Sequence, residues 1–227
     1  MTEREFKINE HLSLRLENGK TIIYVAGEEF RQCKYLLLLN PQDNSEQKYV
    51  NSIDEAQERL SNVLERNLIP DDFGITPEQE FMAHASNLQA WDENDYDTRI
   101  LHRTIAFPLL KKLSEVNDER ARRVFKDEIV QRFLKGSKTT REFLVWEGYM
   151  EEFTSEELTS LIDSEREAKA ILDLEEAIES QIYLQTISII YGNAFVLQDG
   201  KITHLKLSTD KIKEIPPSIG NLNNLNY

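Results

Sequence analysis

The feature that most constrains the fold of this chain is the spacing of apolar residues near its carboxyl end. From residue 202 onward they recur at intervals of two to five positions: Ile202, Leu205, Leu207, Ile212, Ile215, Ile219, Leu222 and Leu225. Ile202 and Leu225 are 23 positions apart (225 − 202), and Leu225 begins the pattern again. One coil of this length cannot bury its own apolar edge, so about three or more must stack for stability.

This spacing resembles the leucine-rich-repeat pattern, in which the order of residues is L-x-x-L-x-L-x-x-N-x-L. The stretch from Ile215 to Leu225 is also similar to the tail of the ~23-residue repeats in plant-type intracellular and SHOC-like leucine-rich-repeat proteins. The resemblance covers roughly residues 195–227. It implies a solenoid that binds other proteins and contains no active site of its own.

A leucine-rich coil assigns a direction to each of these side chains. Leu205 and Leu207 should point inward from a short strand, with Lys206 on the concave surface between them. Asp210 takes the place of the usual asparagine at the following turn, where it can accept a hydrogen bond but cannot donate one. We expect Ile212 and Ile215 to fill the interior and Ile219, Leu222 and Leu225 to close the convex side. The predicted protein-binding residues are the outward ones of the strand: Thr203, His204, Lys206 and Ser208.

The surroundings of this coil add two expectations. The strand from Ala194 to Leu197 turns back at residues 198–201, and it should form a polar-edged cap on the solenoid. The next leucine of the pattern would fall at residue 228, just beyond Tyr227. We therefore expect the chain to be a fragment of a longer protein.

The amino-terminal segment has a β pattern. Residues 12–16 alternate strictly between apolar and polar side chains, and residues 21–25 are β-branched or aromatic. Asn18-Gly19 lies between them and is the strongest short signal for a β-hairpin turn. The stretch from Phe30 to Leu39 is either a third strand or a short helix, because periodicity alone does not distinguish them.

Helical periodicity begins near Ile53 and continues to about residue 180. Ser52 and Thr76 are predicted helix caps, and Pro108 predicts a helix start or a kink within residues 100–116. Asn117-Asp118 should cap a further helix that Gly136 ends, with this apolar face: Ala121, Val124, Phe125, Ile129, Phe133 and Leu134. The segment from Leu109 to Leu134 resembles one helical hairpin of the HEAT or armadillo kind. Shorter helices are predicted at residues 140–146, 155–162 and 165–177.

We therefore predict an α+β chain in three segments. Residues 1–50 form a small β-hairpin or sheet, residues 51–180 an antiparallel helical module, and residues 181–227 a cap with the first leucine-rich repeat. Within the helical module, three stretches resemble a module that precedes leucine-rich repeats in archaeal proteins: Glu80–Trp91, Asn94–His102 and Ala106–Leu113. That resemblance implies architecture and no chemistry.

Composition excludes several classes of partner. The net charge is −14, so nucleic acids and anionic membrane surfaces are poor partners, since binding to them requires a positive face. No apolar run approaches the ~20 residues that span a bilayer. The single cysteine, Cys33, excludes an intramolecular disulfide and favours a cytoplasmic location. The oligomeric state stays open.

Local motifs for chemistry are incomplete. An EF-hand loop starting at Asp92 would need glycine and glutamate where Asp97 and Arg103 stand. Ser137 and Arg132 stand at the two positions before Lys138 where a phosphate-binding loop needs glycine. Glu80 and His84 share a helix face, but no third metal ligand has a suitable spacing. We predict a non-enzymatic protein with no cofactor and no metal, whose partner is a protein.

One alternative belongs to a different class. Residues 1–180 would be a regulatory or catalytic module, dependent on a nucleotide or metal and controlled by the repeats. A solvent-open pocket gathering His84, Trp91, Arg99 and His102 would favour it. A filled interface between helices would favour the protein-binding interpretation.

Overall fold

The computed structural model describes residues 4–31, 50–59, 73–209, 212 and 214–226, and these form a mixed α+β protein, as predicted. The chain divides into two compact units, Met1–Ser137 and Lys138–Tyr227. The boundary between residues 137 and 138 falls within the predicted segment 51–180. Within the described ranges there is no stacked array of coils.

The first unit contains a four-stranded antiparallel sheet in the order of the sequence: β1 (Arg4–Lys7), β2 (Leu12–Glu17), β3 (Lys20–Val25) and β4 (Glu28–Phe30). The predicted hairpin is confirmed as β2–β3, and its turn residues Asn18 and Gly19 have φ values of 50° and 76°. Such positive φ values suit the right-handed twist of a hairpin. Alternate residues of both strands are buried on one face, whereas the predicted element at residues 32–39 lies outside the described residues.

The described residues of the first unit also contain the helices α1 (Ile53–Arg59), α2 (Pro77–Glu93), α3 (Arg103–Glu115) and α4 (Glu119–Lys135). The predicted caps are confirmed. Ser52 Oγ accepts from the Glu55 N–H at 3.2 Å, and Thr76 forms a reciprocal capping box with Gln79. The predicted continuation of α1 beyond residue 59 falls on residues that are not described.

α3 and α4 pack as the predicted helical hairpin, with Asp118 as the cap of α4. α3 begins at Arg103 and runs through Pro108, so the prediction of a helix start at that proline is wrong. Leu134 was expected in the core but is 47% exposed. It lies five positions after the buried Ile129, which turns it about 140° away from the buried face.

The second unit begins with three helices, α5 (Lys138–Trp146), α6 (Ser155–Thr159) and α7 (Glu165–Ile178), which match the predicted ones to within a few residues. A 3₁₀ turn spans Tyr149–Glu152. The strands β5 (Tyr183–Gln185), β6 (Ala194–Gln198) and β7 (Lys201–Lys206) then form a sheet in that order, parallel between β5 and β6 and antiparallel between β6 and β7. A second 3₁₀ turn, Pro217–Asn221, packs on α7.

The β6–β7 turn depends on a glycine. Gly200 has a φ of +71°, and a Cβ atom there would lie 2.3 Å from the Asp163 carboxylate carbon. The Asp163 N–H donates to the Gly200 carbonyl at 2.9 Å. The segment between α6 and α7 therefore lies directly against the β6–β7 hairpin.

Candidate functional site

The predicted binding strand exists as β7, but one of its predicted outward residues is inside. Thr203 is buried, and its hydroxyl donates to the Val196 carbonyl at 3.4 Å, so the expectation that it faces outward is wrong. Leu197 pairs with Ile202 and Val196 pairs with His204, which leaves Thr203 as an extra residue. Such a bulge breaks the two-residue alternation of a strand, so two consecutive residues face inward.

The other three predicted residues lie at or near the surface. His204 is half-buried, with Nδ1 3.0 Å from Thr203 Oγ1. Lys206 is exposed, and its Nζ donates to the Ile190 carbonyl at 3.1 Å. The N–H of the exposed Ser208 donates to Asn193 Oδ1 at 2.8 Å. Lys206 and Ser208 therefore hold the segment between β5 and β6 against the end of β7.

One buried carboxylate that contacts β7, that of Glu167, was not among the residues predicted from the sequence. Glu167, in the first turn of α7, is 4% exposed and accepts two hydrogen bonds. The Ile202 N–H donates to it at 3.1 Å, and Asn224 Nδ2 donates at 2.8 Å. One available signal was that Glu167 precedes Ala170 and Ile171 by three and four positions, which places it on the buried stripe of the helix.

The described apolar residues of the carboxyl-terminal segment differ in burial. Leu222 is buried, whereas Leu205, Leu207, Ile212, Ile219 and Leu225 are half-buried. Ile215 is 58% exposed, so its predicted interior position is wrong. No stacked coils are present in the described part of the chain. Asp210, the predicted turn residue, lies outside that part.

The end of this segment returns to β7. The Asn226 N–H donates to the Thr203 carbonyl at 2.8 Å. The two residues are 23 positions apart (226 − 203), the same interval that separates Ile202 from Leu225 in the sequence. Two residues 23 positions apart are therefore hydrogen-bonded, and Asn226 lies beside β7.

In the first unit, His84 and His102 line one small cavity of about 150 Å³. Trp91 does not line this cavity; it is fully buried, and its ring centre lies 4.5 Å from that of Tyr96. Arg99 is exposed and forms an ion pair with Asp97. The structure thus brings together two of the four residues of the alternative hypothesis. The other walls of the cavity are mainly aliphatic: Ile23, Ile53, Leu88, Ile100, Leu101 and Ile105.

Each cavity histidine lies near a carboxylate. His84 Nε2 is 3.5 Å from Glu80 Oε1, and His102 Nε2 is 3.6 Å from Asp54 Oδ1. Burial lowers the pKa of His102 below its usual value, although the Asp54 carboxylate opposes this shift. The described residues contain no group of three histidine, cysteine, aspartate or glutamate side chains placed to hold a metal ion.

Asp54 is the centre of a charged network that sequence analysis did not identify. It is fully buried and accepts from the Arg103 N–H at 3.0 Å, from Arg103 Nη1 at 3.1 Å and from Arg132 Nη2. Arg132 is itself 6% exposed. Because these residues lie in or beside α1, α3 and α4, the network joins three helices rather than forming a ligand site.

A second, partly buried network includes one carboxylate of the acidic run at residues 92–97, that of Asp92. Asn9 Nδ2 donates to Asp92 Oδ1 at 2.7 Å and to the Tyr96 hydroxyl at 3.0 Å, and that hydroxyl donates to Asp118. Tyr96 is fully buried, and burial raises the pKa of its hydroxyl. Asp97 pairs with Arg99. These side chains fasten the sheet to the end of α2 and the start of α4.

The larger groove of the first unit, about 970 Å³, has a strongly acidic lining. Most of its carboxylates already have protein partners. Glu128 accepts from the N–H and the hydroxyl of Thr98, both at 2.8 Å, and Glu58 accepts from Ser137 Oγ at 2.9 Å. These bonds give the acidic side chains a structural role.

Comparison of the chain with protein-family models, with curated proteins and with solved structures gives no match. In the described ranges, no helix combines the length and the apolar character that crossing a bilayer requires.

Proposed function

We propose that this protein is a non-enzymatic protein–protein interaction scaffold that presents a leucine-rich-repeat surface on its second unit. The observation that carries this proposal is the hydrogen bond from Asn226 to Thr203 across 23 residues. In a leucine-rich solenoid, equivalent positions of successive coils lie side by side on parallel strands. A backbone bond between positions one repeat apart is what that arrangement requires.

The packing of α7 supports the same proposal. Glu167 holds both β7 and Asn224, so one side chain fixes the start and the end of the coil. The rest of α7 exposes acidic residues to solvent on the opposite side, including Glu165 and Glu176. A terminal element with one apolar and one polar face is the form of a solenoid cap.

A repeat extension tests the coil. Two consensus 23-residue coils are fused after Tyr227 in the register of Leu225, and the matched control carries the same residues in scrambled order. We expect the consensus fusion to unfold with β7 in one transition, and the Thr203 amide to become more protected from hydrogen exchange. Appended coils that unfold separately, with unchanged protection of β7, would contradict the proposal.

A displayed random-peptide library tests binding by the strand surface. Peptides selected on the full chain should lose affinity for the Lys206→Glu variant, because Lys206 is exposed on the proposed surface. The matched control is Lys201→Glu, which changes the same residue type at the other end of β7. Selected peptides that tolerate Lys206→Glu as well as Lys201→Glu would argue against this surface.

A second candidate function is a regulatory or catalytic module in the first unit, dependent on a nucleotide or a metal. The cavity beside His84 and His102 favours it, together with the buried Gln57 Oε1, for which the described residues supply no donor. Thermal unfolding with nucleotides and divalent cations tests it. A rise in melting temperature that His84→Ala removes would favour this candidate, since a bound ligand stabilises the folded state.

A further inference from the structure

The second unit exposes three large apolar side chains that the proposed repeat surface does not use. Trp146 is 70% exposed, Ile187 is 51% exposed and Tyr191 is 45% exposed. We call these three residues the aromatic patch, after Trp146 and Tyr191. Tryptophan and tyrosine are the residue types that most often dominate the binding energy of protein interfaces.

One hydrogen bond brings Tyr191 to the end of α5, beside Trp146. The Tyr191 hydroxyl donates to the Val145 carbonyl at 3.5 Å, and Val145 directly precedes Trp146. α5 buries Leu144 and Val145 and ends at Trp146, so its last residue projects away from the buried face.

The loop that carries Ile187 and Tyr191 is held in place. Gln185 Oε1 accepts from the Tyr191 N–H at 2.8 Å, and Gln185 Nε2 donates to the Tyr191 carbonyl at 3.2 Å. The Ile189 N–H closes a tight turn on the Thr186 carbonyl at 3.0 Å, with Ile187 at its tip. A surface fixed before binding loses little conformational entropy when a partner arrives.

The charge around the patch defines the kind of partner. Glu147 is exposed next to Trp146, and Glu151 is exposed with its carboxylate beside Gly148. Lys206, whose Nζ donates to the Ile190 carbonyl, adds one positive charge beside Tyr191 against these two carboxylates. A second copy of a chain with a net charge of −14 is repelled by this surface, whereas a basic segment is attracted.

We propose that the aromatic patch docks a basic amphipathic segment of a protein partner. The apolar side chains of this segment contact Trp146, Ile187 and Tyr191. The lysines or arginines of the segment lie near Glu147 and Glu151. The patch residues differ from Thr203, His204, Lys206 and Ser208, but Lys206 Nζ holds the patch loop through the Ile190 carbonyl. The proposal is therefore tested with variants of Trp146 and Ile187 and not with Lys206→Glu.

The two tryptophans make the patch directly observable. Trp91 is fully buried and Trp146 is 70% exposed, so a soluble quencher such as acrylamide should reach Trp146 alone. The probe is a labelled helical peptide of leucine and lysine, about 18 residues or five turns long. Its matched control replaces every lysine with glutamate. We expect the lysine peptide to bind the full chain and to shield Trp146 from acrylamide, with weaker binding in higher salt.

Two variants locate the binding site. Trp146→Ala and Ile187→Ser should each weaken the lysine peptide by about tenfold or more. Met82→Ala removes a side chain that is 46% exposed on α2 in the first unit, and it should leave the affinity unchanged.

Several results would overturn the proposal. One is that the glutamate peptide binds as tightly as the lysine peptide, and another is that the lysine peptide binds both patch variants as tightly as Met82→Ala. A third is that acrylamide does not reach Trp146 in the free chain. The fourth is that the chain self-associates and that Trp146→Ala abolishes this. The last result would assign the patch to a second copy of the chain. Circular dichroism checks that each variant is folded, and Ile187→Ser keeps the test decisive if Trp146→Ala is not.

Discussion

Removing the Glu167 carboxylate should loosen β7 and the carboxyl-terminal segment together. In the Glu167→Ala variant, the buried Ile202 N–H loses its acceptor and the Asn224 amide loses its partner. Alanine favours the helix, so α7 itself should persist. The change therefore tests the attachment of the coil rather than the presence of the helix.

The structure gives an approximate magnitude for this loss. A buried backbone donor left without an acceptor costs about 1–3 kcal/mol, and a hydrogen bond to a charged group contributes about 1.5–3 kcal/mol. Because alanine also removes the cost of burying a carboxylate, we take the lower part of each range, which gives about 3 kcal/mol in total. At about 1.4 kcal/mol per factor of ten, the local opening equilibrium changes about 100-fold.

Hydrogen exchange followed by mass spectrometry measures this effect locally. Peptides that cover residues 201–206 and 222–226 should lose about two orders of magnitude of protection in Glu167→Ala. Glu167→Gln should lose about half as much in free energy, because its single amide oxygen can still accept from one donor.

Glu165→Ala is the matched control, since Glu165 is exposed in the same helical turn. It should lose only the interaction with the helix dipole, about 0.3–1 kcal/mol. Unchanged protection of both peptides in Glu167→Ala, or a loss no larger than in Glu165→Ala, would refute the assignment of Glu167 as the anchor of the coil.

Three further predictions concern buried groups and one turn. Asp54→Ala leaves the Arg132 charge buried without its carboxylate and should destabilise the first unit by about 3–5 kcal/mol. Urea unfolding followed by Trp91 fluorescence measures this change in the free energy of unfolding. A loss below about 1 kcal/mol would be inconsistent with the prediction. Gly200→Ala places a Cβ atom at a φ of +71° against a carboxylate, so the second unit should lose more than about 1 kcal/mol and melt at a lower temperature. Burial lowers the pKa of His102, so below pH 6.5 the unfolded state binds this proton more readily than the folded state. The first unit should therefore lose stability as the pH falls from 7 through 6.5, and His102→Gln should reduce this dependence in urea titrations at pH 7.5 and 5.5.

The sequence determined the elements whose causes are local. Asn18-Gly19 sets the hairpin turn through its own backbone preference, and Ser52, Thr76 and Asp118 cap helices through bonds to residues three positions away. Such signals act within one turn of chain and can be read without knowledge of any partner. The short strands Arg4–Lys7, Glu28–Phe30 and Tyr183–Gln185 had no such signal and were not predicted.

The buried charged groups depended on contacts that no local pattern contains. Arg132 and Asp54 are 78 positions apart, and Asn224 and Glu167 are 57 positions apart. A charged residue is normally assigned to the surface because burial without a partner is costly, and the partner is visible only in the folded chain. Thr203 turned inward for a related reason, since a bulge against β6 shifted its face.

The 23-residue spacing was determined by the sequence, because the order of apolar residues alone sets which positions can share an interior. Only the tertiary structure decided that Asn226 returns to Thr203. It also decided that the Glu167 carboxylate of α7 accepts from Ile202 and Asn224, and that Ile215 stays exposed. The physical reason is that periodicity specifies which side chains favour burial, whereas burial itself requires a surface supplied by residues far away in the chain.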